Sequence, residues 1–501
     1  MKNKNCNARF GAVFGRIVLF GFLVVLFAGS ASAAPQVDIK ELTAKAEAGD
    51  GEAQLKLGAC YYQGRGIPKD YEKAVSWWKK SAEGGSPAAQ YFLGACYANG
   101  DGVEKDERKA VELYLRAAEA GFAPAQRKLG VAYMPKLKAF SSEMRVRHAM
   151  KFGTADDLYI GLQLTHSGRY SHPHDDAKLE SVTAYSHPLL DERFHSTAAN
   201  VVSDDELRNI IRHFITAAKL AKEAGFDFVD VKMAHGYLGH ELLSAFERPG
   251  EFGGSFENRT RFFREIVEGI HREVPGLEIG TRFSIFDCLP FEKGPDKVGI
   301  PMERNGVGVG NYKYAFGGDG TGLGYDLSEP IKFLELCRSL GVELIGTTVC
   351  SPYYNPHFQR PAYYPVSDGY LPPEDPVVGA ARQIGAVAKV KEHFKGTGML
   401  FVGSGYTCLQ EFLPQVGQAA VRAGITDFVG IGRMVIAYPE LPADSLKGGP
   451  LQAKRICRTF GDCTTAPRGG MVSGCYPLDD FYKSRPESER VKEIKRKFRQ
   501  P

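Results

Sequence analysis

The sequence predicts two architectures in tandem: an α-helical repeat segment of the α-solenoid kind, then an α/β domain built on parallel strands. Three observations carry that expectation. Residues between Ala46 and Tyr133 recur at a spacing of 36. Short apolar runs alternate with amphipathic stretches from about Tyr159 onward. A chain of 501 residues, 43% hydrophobic and 24% charged, is long enough for more than one core. Its 63 Lys+Arg against 59 Asp+Glu leave a net charge of +4, which excludes both wholesale disorder and a strongly basic nucleic-acid binder.

Lys2, Lys4, Arg9 and Arg16 precede the apolar run Ile17 to Ala28, and Ala31-Ser32-Ala33 follows. A charged head, an apolar middle and a small-residue cleavage site read as a secretory signal over residues 1–33. The run is too short for a permanent membrane anchor, because a bilayer core about 30 Å thick needs roughly 20 residues. The expectation is an exported protein, by the route that threads unfolded chains, since no adjacent arginine pair stands before the run. Cys6 falls in this segment. The other nine cysteines sit mostly in apolar stretches, unlike the dense framework of a small disulfide domain. Cys60 and Cys96 occupy equivalent repeat positions. Helices stacked roughly 8 to 10 Å apart would hold them too far apart to bridge, so they are expected to be unpaired.

The repeat segment is placed at residues 40–133. Ala53-Gln54, Ala89-Gln90 and Ala125-Gln126 are each followed by Leu-Gly: Leu57-Gly58, Leu93-Gly94 and Leu129-Gly130. The second half of each unit recurs too, Tyr71, Lys73-Ala74-Val75 and Trp78 being answered by Glu107, Lys109-Ala110-Val111 and Tyr114. Gly64-Arg65-Gly66 and Gly100-Asp101-Gly102 fall between the halves as turns, so each unit is predicted to be a helix hairpin. The pattern resembles the Sel-one-like repeats, relatives of the tetratricopeptide repeat, and the resemblance implies a protein partner. Two units and the first helix of a third are present, and the period stops at Met134-Pro135-Lys136.

Six strands are predicted beyond it: Tyr159 to Leu164, Phe228 to Lys232, Glu278 to Phe283, Glu343 to Val349, Met399 to Val402 and Asp427 to Ile431. Ser203 with Glu206 starts a helix that runs through Ile210, Ile211 and Phe214 to Lys222 and stops at Gly225. Three segments stand out: GLQLTHSGRY at 161–170, AHGYLGHELLS at 234–244 and EFGGSFENRTRF at 251–262. They resemble the Old Yellow Enzyme family of FMN-dependent NAD(P)H:flavin oxidoreductases. The resemblance covers residues 140–440 and implies a TIM-type (β/α) barrel, followed by an extension at 441–501. A complete barrel of that family begins with two further βα units, so the expectation is a barrel lacking its first two. Asn258 and Arg259 are expected to fix the loop after a strand.

The resemblance assigns roles position by position. Gln163 falls where the family contacts the flavin pyrimidine edge, and an amide both donates and accepts there. Arg282 matches a strand-end arginine beside the flavin, where positive charge stabilises the anionic reduced ring; a strand arginine is otherwise a salt-bridge partner. Gly403, Ser404 and Gly405 after one strand, with Gly432 and Arg433 after the next, match the phosphate loops of such barrels. His235 and Lys232 fall where the family binds a substrate carbonyl oxygen, although Lys232 departs from the usual histidine. Tyr237 matches the family's proton donor. The bland alternative is a strand-end histidine and tyrosine packed under a loop.

Cys457, Cys463 and Cys475 form a C-x5-C-x11-C array with Phe460 where a fourth cysteine would complete a cluster set. Structural or free thiols are expected, and no metal. The sequence therefore implies an FMN-dependent oxidoreductase with NADH or NADPH as reductant and a small-molecule acceptor. The rival is a repeat-based interaction protein carrying an inactive barrel. Export conflicts with a flavin loaded in the cytoplasm, which keeps a cytoplasmic location as the alternative.

Overall fold

The computed structural model describes residues 38–120, 122–172, 179–363 and 369–499. The secretory signal expected at 1–33 lies outside the described residues. The chain divides into two compact units, Met1–Asp106 and Glu107–Pro501.

The first unit contains α1 (Ile39–Glu47), α2 (Gly51–Gln63), α3 (Tyr71–Glu83) and α4 (Pro87–Asn99). Asp38, Asp50, Asp70 and Ser86 each accept from backbone N–H groups in the first turn of the helix they cap. Gly64 and Gly100 end α2 and α4 in the left-handed conformation, at φ 71° and 86°. The recurring Leu-Gly has a packing reason. A Cβ on Gly58 would lie 2.5 Å from the Trp78 indole, which donates through Nε1 to the Leu55 carbonyl at 3.1 Å. Cys60 and Cys96 are buried, free thiols.

The second unit opens with α5 (Glu107–Glu119) and α6 (Ala123–Phe152). The domain boundary expected between Tyr133 and Phe140 falls inside α6, a single helix of 30 residues with Pro135 in its interior. The loss of repeat period there does not end the helix. Once nucleated, a helix gains one hydrogen bond for each residue added, and its far half is anchored. Ser141 donates to the Ala224 carbonyl, and Arg145 pairs with Asp227 at 2.7 Å.

The sheet consists of β1 (Gly161–Leu164), β2 (Phe228–Met233), β3 (Glu278–Ser284), β6 (Leu344–Thr348), β7 (Leu400–Gly403) and β8 (Phe428–Val429), all parallel and paired in the order β1-β2-β3-β6-β7-β8. These are the six strands the sequence predicts. A short antiparallel hairpin, β4 (Phe291–Lys293) with β5 (Gly299–Pro301), follows β3. Val229, Val231, Phe283, Ile345 and Phe401 point to the helix side and are fully buried there. The helix Asp204–Glu223 lies over that face, capped by Ser203 and stopped at Gly225, φ 83°. Among the described strands β1 and β8 are each paired on one side only, so the sheet is an open arc. Among the described residues no helix is long and apolar enough to cross a membrane.

Candidate active site

Strand period puts Asp230 and Lys232 of β2 on the inner face of the arc, opposite buried Val229, Val231 and Met233. The chain then turns sharply. His235 and Gly236 both take positive φ, 69° and 74°, which redirects the chain into the helix Leu238–Leu243 capped by Tyr237. His235 holds this costly conformation because its backbone is pinned: its N–H donates to Ser284 Oγ at 3.2 Å and its carbonyl accepts from Ser351 Oγ at 2.8 Å. A Cβ on Gly236 would strike the Tyr354 ring at 2.9 Å.

Lys232, His235 and Tyr237 are brought together, with partners the sequence reading missed. The Tyr237 hydroxyl shares a 2.7 Å hydrogen bond with Tyr353, whose ring stacks on Tyr170 at 4.0 Å between centroids. Arg193 fixes this loop by donating to the Tyr353 carbonyl at 3.0 Å. Lys232 Nζ lies 3.5 Å from the centre of the Tyr237 ring. The Gln359 amide nitrogen faces His235 Nε2 at 3.1 Å, an arrangement that suits a ring protonated on Nδ1. Burial, with Arg282 and Lys232 nearby, pushes His235 well below the usual imidazole range, so the ring is neutral.

A cavity of about 1660 Å³ is lined by Tyr353 and Gln359, the partners of Tyr237 and His235, whereas Lys232, His235 and Tyr237 themselves are not among its lining residues. Asp230, Arg282, Gln359 and Tyr353 line one wall, and Gly403, Ser404, Gly405, Gly432 and Arg433 line another. Gln163 stands on β1 at the register position of Asp230 and donates to its carboxylate at 2.6 Å. Asp230 Oδ1 is buried without a hydrogen-bond partner, and burial raises its pKa. Arg282 is the register neighbour of Lys232.

On the second wall Gly405 has φ 94°, and a Cβ on Gly432 would meet nothing within 4 Å. Ser404 Oγ donates to the Gln383 side chain at 3.0 Å. Arg433 Nη1 is buried and has no hydrogen-bond partner. A buried guanidinium N–H left unpaired could hold an anion.

One ion pair and one hydrogen bond tie the three motifs together. Arg169 of the first is fully buried and pairs with Glu241 of the second at 2.6 Å. Arg259 of the third donates to the Leu243 and Gly254 carbonyls and pairs with Glu329, bolting the loop after β2 to the helix Ser328–Ser339. Asn258 adds a contact to the Gly250 carbonyl at 3.5 Å. Of the cysteine array, Cys457 and Cys475 pack with Tyr406, Met434 and Tyr438. Burial pushes the Cys475 thiol up to about 12. All three are free, and among the described residues no group of His, Cys, Asp and Glu could hold a metal.

Residues 153–300 match the family described as NADH:flavin oxidoreductase / NADH oxidase, and residues 51–86 and 87–122 match the Sel1 repeat. Residues 153–300 belong to that flavin oxidoreductase family. The protein thus joins Sel1 repeats to an Old Yellow Enzyme-type domain, whose family uses FMN with NADH or NADPH. It is 28% identical over 293 residues to 12-oxophytodienoate reductase-like protein 1 of Arabidopsis thaliana, covering 58% of this chain and 72% of that one. It is 41% identical over 113 residues to the NADPH dehydrogenase of Bacillus subtilis (strain 168), covering 22% of this chain and 31% of the relative. Among solved structures it is similar to a 2-naphthoyl-CoA reductase complex, with 20% identity, a TM-score of 0.46, and coverage of 72% of this chain and 46% of that chain. The chain therefore spans about a third of the NADPH dehydrogenase and under half of the reductase chain.

Proposed function

We propose that the second unit is an FMN-dependent NAD(P)H oxidoreductase acting on an electron-poor alkene conjugated to a carbonyl. The observation that carries this reading is the orphaned, buried Nη1 of Arg433 on the same cavity as Arg282 and Asp230. Arg433 and the backbone of Gly403, Ser404, Gly405 and Gly432 would hold the phosphate. Arg282 would face the ring, and Gln163, whose amide nitrogen is tied to Asp230, keeps its carbonyl oxygen for a ring N–H. When bound, FMN supplies the hydride it receives from NADH or NADPH. His235 donates from Nδ1 to the carbonyl oxygen of the acceptor, with Lys232 beside it. Tyr237 delivers a proton to carbon from its hydroxyl and is resupplied across the 2.7 Å contact with Tyr353.

The test is to purify the chain without residues 1–33 in the presence of FMN, then record its visible spectrum and its mass in solution. A stoichiometric bound flavin that bleaches with NADH is expected. A colourless or aggregated product would overturn the reading. It would favour the second one, an interaction protein acting through its repeats, which two matched Sel1 units support. Export by residues 1–33 is proposed as well. Sequencing the N-terminus of secreted protein should find it just after Ala33, and an intact N-terminus on cytoplasmic protein would refute that.

A further inference from the structure

Lys232 is the residue that departs from the family resemblance, next in register to the cavity-lining Arg282, and its surroundings suit an amine better than an ammonium. It is 9% exposed, on the inner face of β2. Among the described residues no carboxylate closes an ion pair on it and no hydrogen bond holds its Nζ. Its register neighbour across β3 is Arg282, a permanent cation, so charging the amine places two positive charges side by side in a dry space. Burial first and Arg282 second lower its pKa to about 7, with Asp230 pulling the other way. The face of the Tyr237 ring favours the charged form, which offsets part of this and still leaves a share of free amine.

We propose that Lys232 is a nucleophile that condenses with the carbonyl carbon of an α,β-unsaturated aldehyde or ketone, so that the acceptor is held as a covalent imine. The nitrogen lone pair forms the C–N bond while the carbonyl π electrons move to oxygen. The oxygen then leaves as water, taking one proton from the nitrogen and one from a neighbouring acid, and the product is a protonated imine; nothing is oxidised or reduced. Asp230, two residues earlier on the same strand face, is the acid placed to supply that proton. Its Oδ1 is unpartnered, and burial keeps its pKa raised. Water reverses the sequence and releases the product. Once the oxygen that His235 holds has left as water, the protonated imine withdraws more electron density from the conjugated alkene than a hydrogen bond to oxygen does, so Lys232 would activate the carbon that receives hydride. The inference rests on the proposed function only in taking an unsaturated carbonyl as acceptor, because the condensation needs no flavin.

The experiment treats the protein, both FMN-loaded and flavin-free, with cinnamaldehyde and sodium cyanoborohydride at pH 7, then maps modified lysines by peptide mass spectrometry. At that pH a lysine titrating near 7 carries on the order of 10³ times the free-amine fraction of an ordinary one. The expected result is an adduct on Lys232 at least about tenfold above any exposed lysine. It should be absent from K232R, whose fold is checked by its thermal transition. Exchange of the aldehyde oxygen with ¹⁸O-water should also be faster with wild-type protein than with K232R. Labelling of exposed lysines while Lys232 stays unmodified overturns the proposal, and because the map is read residue by residue in wild-type protein, it does not depend on the variant folding. An adduct on flavin-free protein leaves the imine standing even if no FMN binds. An NADH-bleached holoenzyme with unlabelled Lys232 removes the imine alone.

Discussion

The two walls of the cavity are built by different means. On the β2–β3 wall the polar groups are side chains: Asp230 and Arg282, with Lys232 the register neighbour of Arg282 and in contact with Tyr237. Burial pushes Lys232 and His235 down and Asp230 up, and Arg282 adds to the lowering of the first two. On the β7–β8 wall the lining is rich in glycine, Gly403, Gly405, Gly430 and Gly432, with Arg433 adding charge. A Cβ on Gly430 would meet the Gly403 carbonyl at 2.7 Å. A wall of coupled side chains is suited to moving protons, and a glycine-rich wall carrying Arg433 to holding an anion. Substitutions on the first should change rates and pH dependence; substitutions on the second should change what is held.

The largest effect is expected from Tyr237→Phe. Turnover should fall about 10²- to 10⁴-fold, the usual worth of a positioned acid, while bound flavin and its reduction by NADH stay unchanged in stopped-flow spectra. Unchanged turnover would remove Tyr237 as the donor. Next is Lys232→Met, read by urea unfolding between pH 6 and 10.5. In wild type the unfolded chain, where this lysine titrates near its ordinary 10.5, binds more protons than the folded one above pH 7. Wild-type stability should therefore rise through that window at about 1.4 kcal/mol per pH unit relative to the variant. The variant's advantage is full below pH 7 and gone near 10.5; a pH-independent difference would mean that Lys232 titrates normally.

Arg433→Met probes the other wall. Losing a charge-assisted contact worth about 1.5 to 3 kcal/mol should weaken FMN binding roughly 10- to 100-fold in a fluorescence titration. Folding stability should hold or rise, since the guanidinium Nη1 has no partner to lose. The smallest effect is expected from Gly405→Ala. At φ 94° a Cβ costs about 1 to 2 kcal/mol and would sit 3.3 Å from Gln383, and a urea midpoint reads the loss. If this variant changed the rate and spared flavin binding, the contrast between the walls would fail.

Much of this arrangement was legible in the sequence where one strand or turn carries it. Each of the six parallel strands has an apolar outer face, and Ser203, Gly64 and Gly100 mark helix ends that the structure places there. The hairpin β4–β5 escaped because three residues per strand carry no measurable period. The continuity of α6 escaped because a lost repeat pattern looks like a boundary even where the backbone hydrogen bonds continue. Asp230 could have been found, since it precedes Lys232 by two on a strand and must share its face. Gln359 and Tyr353 could not: they reach His235 and Tyr237 across more than a hundred residues, and no spacing in the chain announces that meeting.

By itself, then, the sequence determined which elements form and which residues stand at the strand ends, because periodicity, caps and turn residues act over a few positions. Only the tertiary structure decided what those residues are chemically. Lys232 carries a lowered pKa because packing buries it and the β2–β3 register sets it beside Arg282. Arg433 is free to take an anion, as proposed above, because among the described residues its Nη1 has no hydrogen-bond partner. Desolvation and proximity belong to groups brought together from distant parts of the chain, so they exist only once the chain has packed.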